Sequence, residues 1–447
     1  MNKIKFPVNE QKMEYPAVSM IVALVLIYAS PFVSLYLNYL AFLICIYRIV
    51  RYEESVFAVD YCMLASVSYI FVSTGIVSLF SWLSIVAALW WIIKTGVKPI
   101  SSIALLVILL NYMLFRMQGE VNTFVLCVSQ MIMMFVLLSN QRKEGIVYCI
   151  KGFCLSVIVS SIYALVFRNT SQINRLLGNE VEAYWKSSFT RFRGLFRDPN
   201  YYMTMIAVAI ALLAVLYLNR YLSQKAFALG TGILIVFGAL TYSKTFLIVL
   251  AVFAMLFVAM LFSRKRYILG ILSVFIFVIV GVILSRTVLA VTIYRFTSTD
   301  NLYELTTGRS ELIAEYLQEI TKSAGTLFFG EGLSAEILGR GTHNLYLEIV
   351  YYYGLVGLGI MIAYIVSLIR LTIQRFEDSI GKRNGILKYA VLLIFLLLFS
   401  TLQGLRFSIT YVILYLSILA TIIVPKEDID FSVRSDEDET VFHETFT

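Results

Sequence analysis

Residues 200–218 read NYYMTMIAVAIALLAVLYL, a stretch without a single charge. A helix of this length covers about 30 Å, the thickness of the hydrocarbon core of a bilayer. Comparable apolar runs recur along the whole chain of 447 residues, which is 60% hydrophobic and 14% charged, with a mean hydropathy of +0.84. No soluble domain of this size needs so much apolar sequence. The runs are continuous and do not alternate, which excludes a transmembrane β-barrel. The expected fold class is an all-α polytopic membrane protein.

About fourteen spans are expected, at 17–30, 32–50, 57–73, 76–93, 100–116, 121–139, 145–167, 200–218, 226–241, 243–262, 267–285, 343–369, 386–402 and 405–424. They divide the chain into amino-terminal spans (1–167), a first long loop (168–199), central spans (200–285), a second long loop (286–342), carboxy-terminal spans (343–424) and an acidic tail (425–447). A signal peptide is the competing reading of residues 1–30, where Lys3, Lys5 and Lys12 precede an apolar stretch. No clear small-residue cleavage site follows, and another span begins at once.

With the amino terminus inside, the short connections on that side each carry at least two positive charges, as the positive-inside rule requires. They hold Arg48/Arg51, Lys94/Lys98, Arg142/Lys143, Arg220/Lys225, Arg264 to Arg266, and Arg370/Arg375/Lys382/Arg383. The formal charge of +8 therefore reports topology and does not imply nucleic acid. The acidic tail from Glu427 to Glu444 also falls inside and reads as disordered. The five cysteines, Cys45, Cys62, Cys127, Cys149 and Cys154, lie in or beside spans. Neither a disulfide framework nor a metal site is expected, and no cofactor.

The two long loops then fall outside, where basic residues should be scarce. Yet this side holds Arg116, Arg168, Arg175, Arg191, Arg193, Arg197, Arg286, Arg295, Arg309, Arg340 and Arg406, against only Lys186, Lys244 and Lys322. Topology has no preference between arginine and lysine. The planar fork of arginine grips phosphate oxygens in pairs, whereas lysine acts as a point charge. The bias points to an anionic ligand with phosphate geometry. Snorkelling at span ends accounts for Arg116, Arg168, Arg175 and Arg286.

Arg191, Arg193 and Arg197 surround Gly194 and lead to Asp198-Pro199-Asn200, where Asp198 or Asn200 can cap the helix that follows. A helix amino terminus flanked by arginines is a natural pyrophosphate seat. Lys244, in Ser243-Lys244-Thr245 at a tight outer turn, adds a cation or snorkels to the surface. In the second loop, residues 309–321 put Leu312, Ile313, Tyr316, Leu317 and Ile320 on one helical stripe, with Arg309 at its start. A turn at Phe329-Gly330-Glu331-Gly332-Leu333 follows. Arg340 then precedes Thr342-His343-Asn344 at the opening of the next span. His343 is one of only two histidines, the other being His443 in the tail. Imidazole is the usual proton acceptor near neutral pH, and a lone histidine makes a poor metal site. Glu348, one turn further on, can orient that imidazole. Gly354, Gly357 and Gly359 suggest close helix packing.

These motifs together resemble the O-antigen polymerase and O-antigen ligase family of bacterial glycan assembly. The resemblance rests on Arg193-Gly194-Leu195-Phe196 with Asp198-Pro199-Asn200, on Tyr242-Ser243-Lys244-Thr245, on Gly308-Arg309-Ser310, and on Gly330-Glu331-Gly332 leading to Thr342-His343-Asn344. It covers roughly residues 190–370; the first half of the chain is similar only in having many spans. Lys244 stands where the family often has arginine. The resemblance implies a GT-C-like architecture and a metal-independent glycosyltransferase in the bacterial cytoplasmic membrane, with its active site on the outer face. The donor would be an oligosaccharide linked to undecaprenyl pyrophosphate. The acceptor would be the sugar hydroxyl of another lipid-linked repeat unit in a polymerase of O-antigen, capsule or exopolysaccharide, or lipid A–core in a ligase. A chain-length regulator would be a possible protein partner. In this reading Arg191, Arg193, Arg197, Lys244, Arg309 and Arg340 hold the pyrophosphate. His343 is the base, and Asn200 and Glu348 support the site.

A transporter or flippase for lipid-linked sugars is the reading from another class. It predicts internal repeats and charges along many spans. The sequence shows no repeat, and its charges gather on one face.

Overall fold

The computed structural model describes residues 15–74, 78–95, 101–118, 120–178, 190–263, 265–286, 290–297, 309–333, 341–376, 387–402, 404–405 and 407–423. Arg340 and the acidic tail lie outside the described residues, as do Lys98, Lys186, Arg264, Lys382, Arg383 and Arg406.

Apart from one isolated antiparallel bridge between Val72 and Ser78, the regular structure among the described residues is helical. In chain order the amino-terminal helices are α1 (Ala17–Ala29), α2 (Tyr36–Arg51), α3 (Glu54–Leu64), α4 (Leu79–Thr95), α5 (Ser101–Phe115), α6 (Val121–Asn140) and α7 (Lys143–Phe167). A short α8 (Ser171–Leu177) precedes α9 (Pro199–Leu218), α10 (Gln224–Ala239), α11 (Lys244–Ser263) and α12 (Tyr267–Ser285). The second loop contributes α13 (Ala290–Thr297), α14 (Arg309–Thr321) and α15 (Ala324–Phe329). The chain closes with α16 (Leu345–Phe376), α17 (Leu387–Phe399) and α18 (Ser408–Ala420). Each apolar stretch read from the sequence holds a helix. Five of them, α6, α7, α9, α11 and α16, are long and apolar enough to cross a membrane.

The stretch that opened the sequence analysis is the centre of the molecule. α9 packs against α7, α10, α11, α17 and α18, and nearly every residue on it is buried. Ala207, Ala209, Ala211 and Ala214 keep its surface low, so neighbours approach closely. α12 is the opposite case. Ile268, Phe275, Val278, Ile279 and Ile283 on it are exposed, a continuous apolar surface of the kind that marks contact with lipid or protein.

Three features differ from expectation, each for a visible reason. The third span, expected over 57–73, is helical from Glu54 and ends in a 3-10 turn at Ala65–Val67. Beyond that turn, Asn38 Nδ2 donates to the carbonyls of Ile70 (2.9 Å) and Val72 (2.8 Å), satisfying backbone that a helix would otherwise have paired. The span expected over 343–369 is broken at Gly354, where φ is +67°. Arg48 was expected among exposed cytoplasmic charges. It is fully buried instead, its Nε donating to Asp60 Oδ2 at 2.6 Å and its Nη2 to Asp60 Oδ1 at 2.8 Å.

The break in α16 is filled by the second loop. The backbone N–H groups of Glu331 and Gly332 donate to the carbonyls of Tyr351 (2.8 Å) and Tyr352 (3.0 Å). Tyr112 Oη donates to the carbonyls of Tyr353 (2.7 Å) and Phe329 (3.2 Å). Arg116 donates to the Gly330 carbonyl, and its own carbonyl accepts from Leu333 N–H at 2.9 Å. Carbonyls freed by the interruption thus find partners in the protein, as buried backbone requires. The sequence reading left Arg116 as a snorkelling side chain; it is a clamp on this segment.

Candidate functional site

Residues 190–200 run against the turn between α10 and α11. Phe192 N–H donates to the Leu240 carbonyl at 3.0 Å. Arg191 spans the junction, with Nε donating to the Thr241 carbonyl (2.8 Å) and Nη2 to Asn200 Oδ1 (2.9 Å). Gly194 has φ +55°, and a Cβ there would strike the ring of Tyr202. Asp198 is the N-cap of α9, its Oδ1 accepting from Asn200 N–H at 2.6 Å, and Pro199 occupies the first helical position. The cap expected from the sequence is therefore present. Lys244 is the first residue of α11, at the end of the turn that Arg191 holds. Thr241, Asn200 and Lys244 all belong to this one junction.

Arg309, in the second loop, lies within electrostatic range of Asp198 at the start of α9. It opens α14, which buries Leu312, Tyr316 and Ile320 of the expected stripe, while Ile313 is half-buried and Leu317 exposed. Tyr316 meets the ring of Tyr351 edge-on, with centroids 4.9 Å apart, fixing α14 on the broken helix. Burial pulls the Arg309 guanidinium below its ordinary pKa, while the nearby Asp198 carboxylate acts in the opposite sense. Asp198 is the N-cap of α9. Arg191 is thus bonded at the start of α9 and Arg309 lies within electrostatic range of the same helix end, whose dipole favours an anion.

His343 stands at φ +47°, in the left-handed region that side chains rarely adopt. Thr342 Oγ1 donates to the Asn344 carbonyl at 3.0 Å and accepts from Asn344 N–H at 3.4 Å, pinching the turn beneath it. Asn344 Oδ1 accepts from the N–H groups of Tyr346 and Leu347, both at 3.0 Å, and caps α16. A histidine held half-buried at the tip of such a turn costs about 1–3 kcal/mol, and strain of this kind clusters at working sites.

Two expected site residues are engaged with the protein itself. Arg193 is only 4% exposed. Its guanidinium donates to the carbonyls of Leu177 (3.1 Å) and Gly178 (2.5 Å) and to Asn174 Oδ1 (3.2 Å). It thus neutralises the carboxy-terminal end of α8. Glu348, expected to orient His343, is also buried, and its Oε2 accepts from Gly404 N–H (2.8 Å) and Leu405 N–H (3.1 Å). It ties the start of α16 to the turn before α18. Arg197 is exposed and lines a cavity of about 230 Å³ formed with Ser68, Tyr69, Ser81 and Ser408.

The sequence reading passed over Tyr112, Gln130 and Asp60. Tyr112 acts through backbone carbonyls far along the chain, and no local signal announces it. Asp60 carried a signal that was available, being an acidic residue inside an apolar stretch. Among the described residues no group of three or more His, Cys, Asp or Glu side chains can hold a metal ion. Comparison with protein-family models, with curated proteins and with solved structures finds no match to this chain.

Proposed function

We propose that this chain is a polysaccharide polymerase of the bacterial cytoplasmic membrane. It transfers a glycan from undecaprenyl pyrophosphate to a sugar hydroxyl of another lipid-linked unit on the outer face. The reading takes the fourteen apolar helices as spans in a GT-C-like arrangement, with the first stretch of α16 lying above its span. The observation that carries it is the convergence of Arg191 and Arg309, from two separate loops, on the amino terminus of α9.

A glycosyl transfer from a pyrophosphate needs charge stabilisation on the leaving group and a base for the acceptor. Arg191, Arg309 and Lys244 supply the first without a metal, aided by the dipole of α9. His343 supplies the second. Its Nδ1 or Nε2 takes the acceptor proton as the hydroxyl oxygen attacks the anomeric carbon. The anomeric carbon–oxygen bond breaks, and the electron pair leaves on undecaprenyl pyrophosphate.

The test is reconstitution of purified protein with an undecaprenyl-pyrophosphate-linked oligosaccharide. Elongated product and free undecaprenyl pyrophosphate are expected from the wild type. His343→Ala should slow product formation by about 10²–10⁴-fold with donor binding retained. Unaltered polymerisation by that variant would remove His343 from the chemistry.

A further inference from the structure

The cavity beside Arg197 has no part in the pyrophosphate chemistry described above. It lies where the turn after α3, the start of α4, α6 and the start of α18 meet. Its walls combine two kinds of surface. Tyr69, Phe80 and Phe407 are aromatic, while Ser68, Ser81 and Ser408 bring hydroxyls. Tyr69 is steadied by Phe196 (centroids 5.0 Å apart), and Phe407 by Tyr201 (4.6 Å). Both supports come from the segment that forms the candidate pyrophosphate seat.

The hydroxyls are held in a chain. Ser81 Oγ donates to Ser78 Oγ at 3.2 Å and lies 3.2 Å from Ser408 Oγ, which accepts from Gln130 Nε2 at 3.2 Å. Gln130 in turn accepts from Tyr61. The floor is therefore an ordered row of donors and acceptors. Aromatic rings and fixed hydroxyls in one lining match a sugar ring, which has apolar C–H faces and a rim of hydroxyls. The volume of about 230 Å³ lies below the range of roughly 300–1,000 Å³ usual for drug-sized ligands. It suits one ring and not an oligosaccharide. Arg197, exposed in the lining, brings a guanidinium of the kind that pairs with a carboxylate.

We infer that this cavity binds a single sugar ring bearing an acidic group, one residue of the glycan that the protein handles. Its origin in a lipid-linked glycan rests on the proposed function; the binding itself rests on the cavity alone. Saturation-transfer NMR on the full chain in detergent tests it, with methyl β-glucuronide and methyl β-glucoside as probes. The glucuronide should receive saturation, and Arg197→Gln should weaken its binding about tenfold while leaving the neutral glucoside unchanged. Ser81→Trp, which fills the cavity, should abolish both signals. Arg197 is exposed, so the glutamine variant keeps the test valid if the tryptophan variant misfolds. Absent saturation of the glucuronide, or its full displacement by equimolar inorganic phosphate, overturns the inference. Polymerisation without sugar binding would refute this cavity and spare the proposed function. Sugar binding without polymerisation would do the reverse.

Discussion

Arg191 and Arg193 sit on one strand of chain and face different partners. Arg191 bridges a carbonyl and a side-chain amide at the proposed anion seat, whereas Arg193 is locked against the end of α8. Arg191→Lys keeps the charge but cannot reach Thr241 and Asn200 together, so turnover should drop about tenfold with little effect on folding. Arg193→Lys loses hydrogen bonds at a buried site. It should cost about 2–3 kcal/mol and raise amide exchange over residues 171–178. Comparable loss of turnover in both, with exchange unchanged, would mean that the two arginines share one task. At this scale the sequence was informative about residue type and less so about assignment. That arginines cluster beside Asp198 was legible, as was the cap itself. Which arginine faces a ligand depends on where α8 ends, and its carbonyls are reached only through the folded loop.

The element that departs most from the sequence is α16. A long apolar run reads as one span, but the chain breaks at Gly354 and the second loop docks into the gap. The glycine was visible; the reason for it was not. A Cβ at Gly354 would collide with the backbone carbonyl of Phe328, and φ is +67° there. Gly354→Ala should therefore destabilise the protein by about 3 kcal/mol or more, read as a lowered midpoint of thermal unfolding in detergent. Gly359→Ala is the control. Nothing lies within 4 Å of a Cβ at that site, and removing a helical glycine should be neutral or stabilising by up to about 1 kcal/mol. Equal midpoints for the two variants would mean that the break tolerates side chains. The docked segment is also braced by charge. Lys322 Nζ lies 2.9 Å from both Glu319 Oε2 and Glu331 Oε1. Hydrogen bonding to Lys322 holds the Glu331 carboxyl below the usual carboxylate range.

At the scale of the molecule, the apolar segments read from the sequence all carry helices, because hydrophobic length is a local property. Their sidedness follows from alternation and is open to direct measurement. All five native cysteines are buried, so a single introduced cysteine reports cleanly. A cysteine at Ser323 should react with an impermeant maleimide on intact spheroplasts, and one at Lys225 only after permeabilisation. The opposite pattern would invert the protein and remove the active site from the outer face. The buried pair Arg48–Asp60 was not legible as a pair, since Arg48 read as a cytoplasmic charge and Asp60 was passed over. It bears on how the chain is made. A charge at the centre of a membrane-spanning helix costs about 2.5–3.5 kcal/mol. Here the two charges are matched, with Tyr15 Oη donating to Asp60 Oδ1 at 2.6 Å and Arg48 Nη1 donating to the Pro16 carbonyl at 2.6 Å and to Ser19. We therefore expect α2 to integrate stably only in company with α3, with α1 held beside them through Tyr15, Pro16 and Ser19. On that expectation the first three helices form a single unit of biogenesis, completed before any residue of the proposed active site is made.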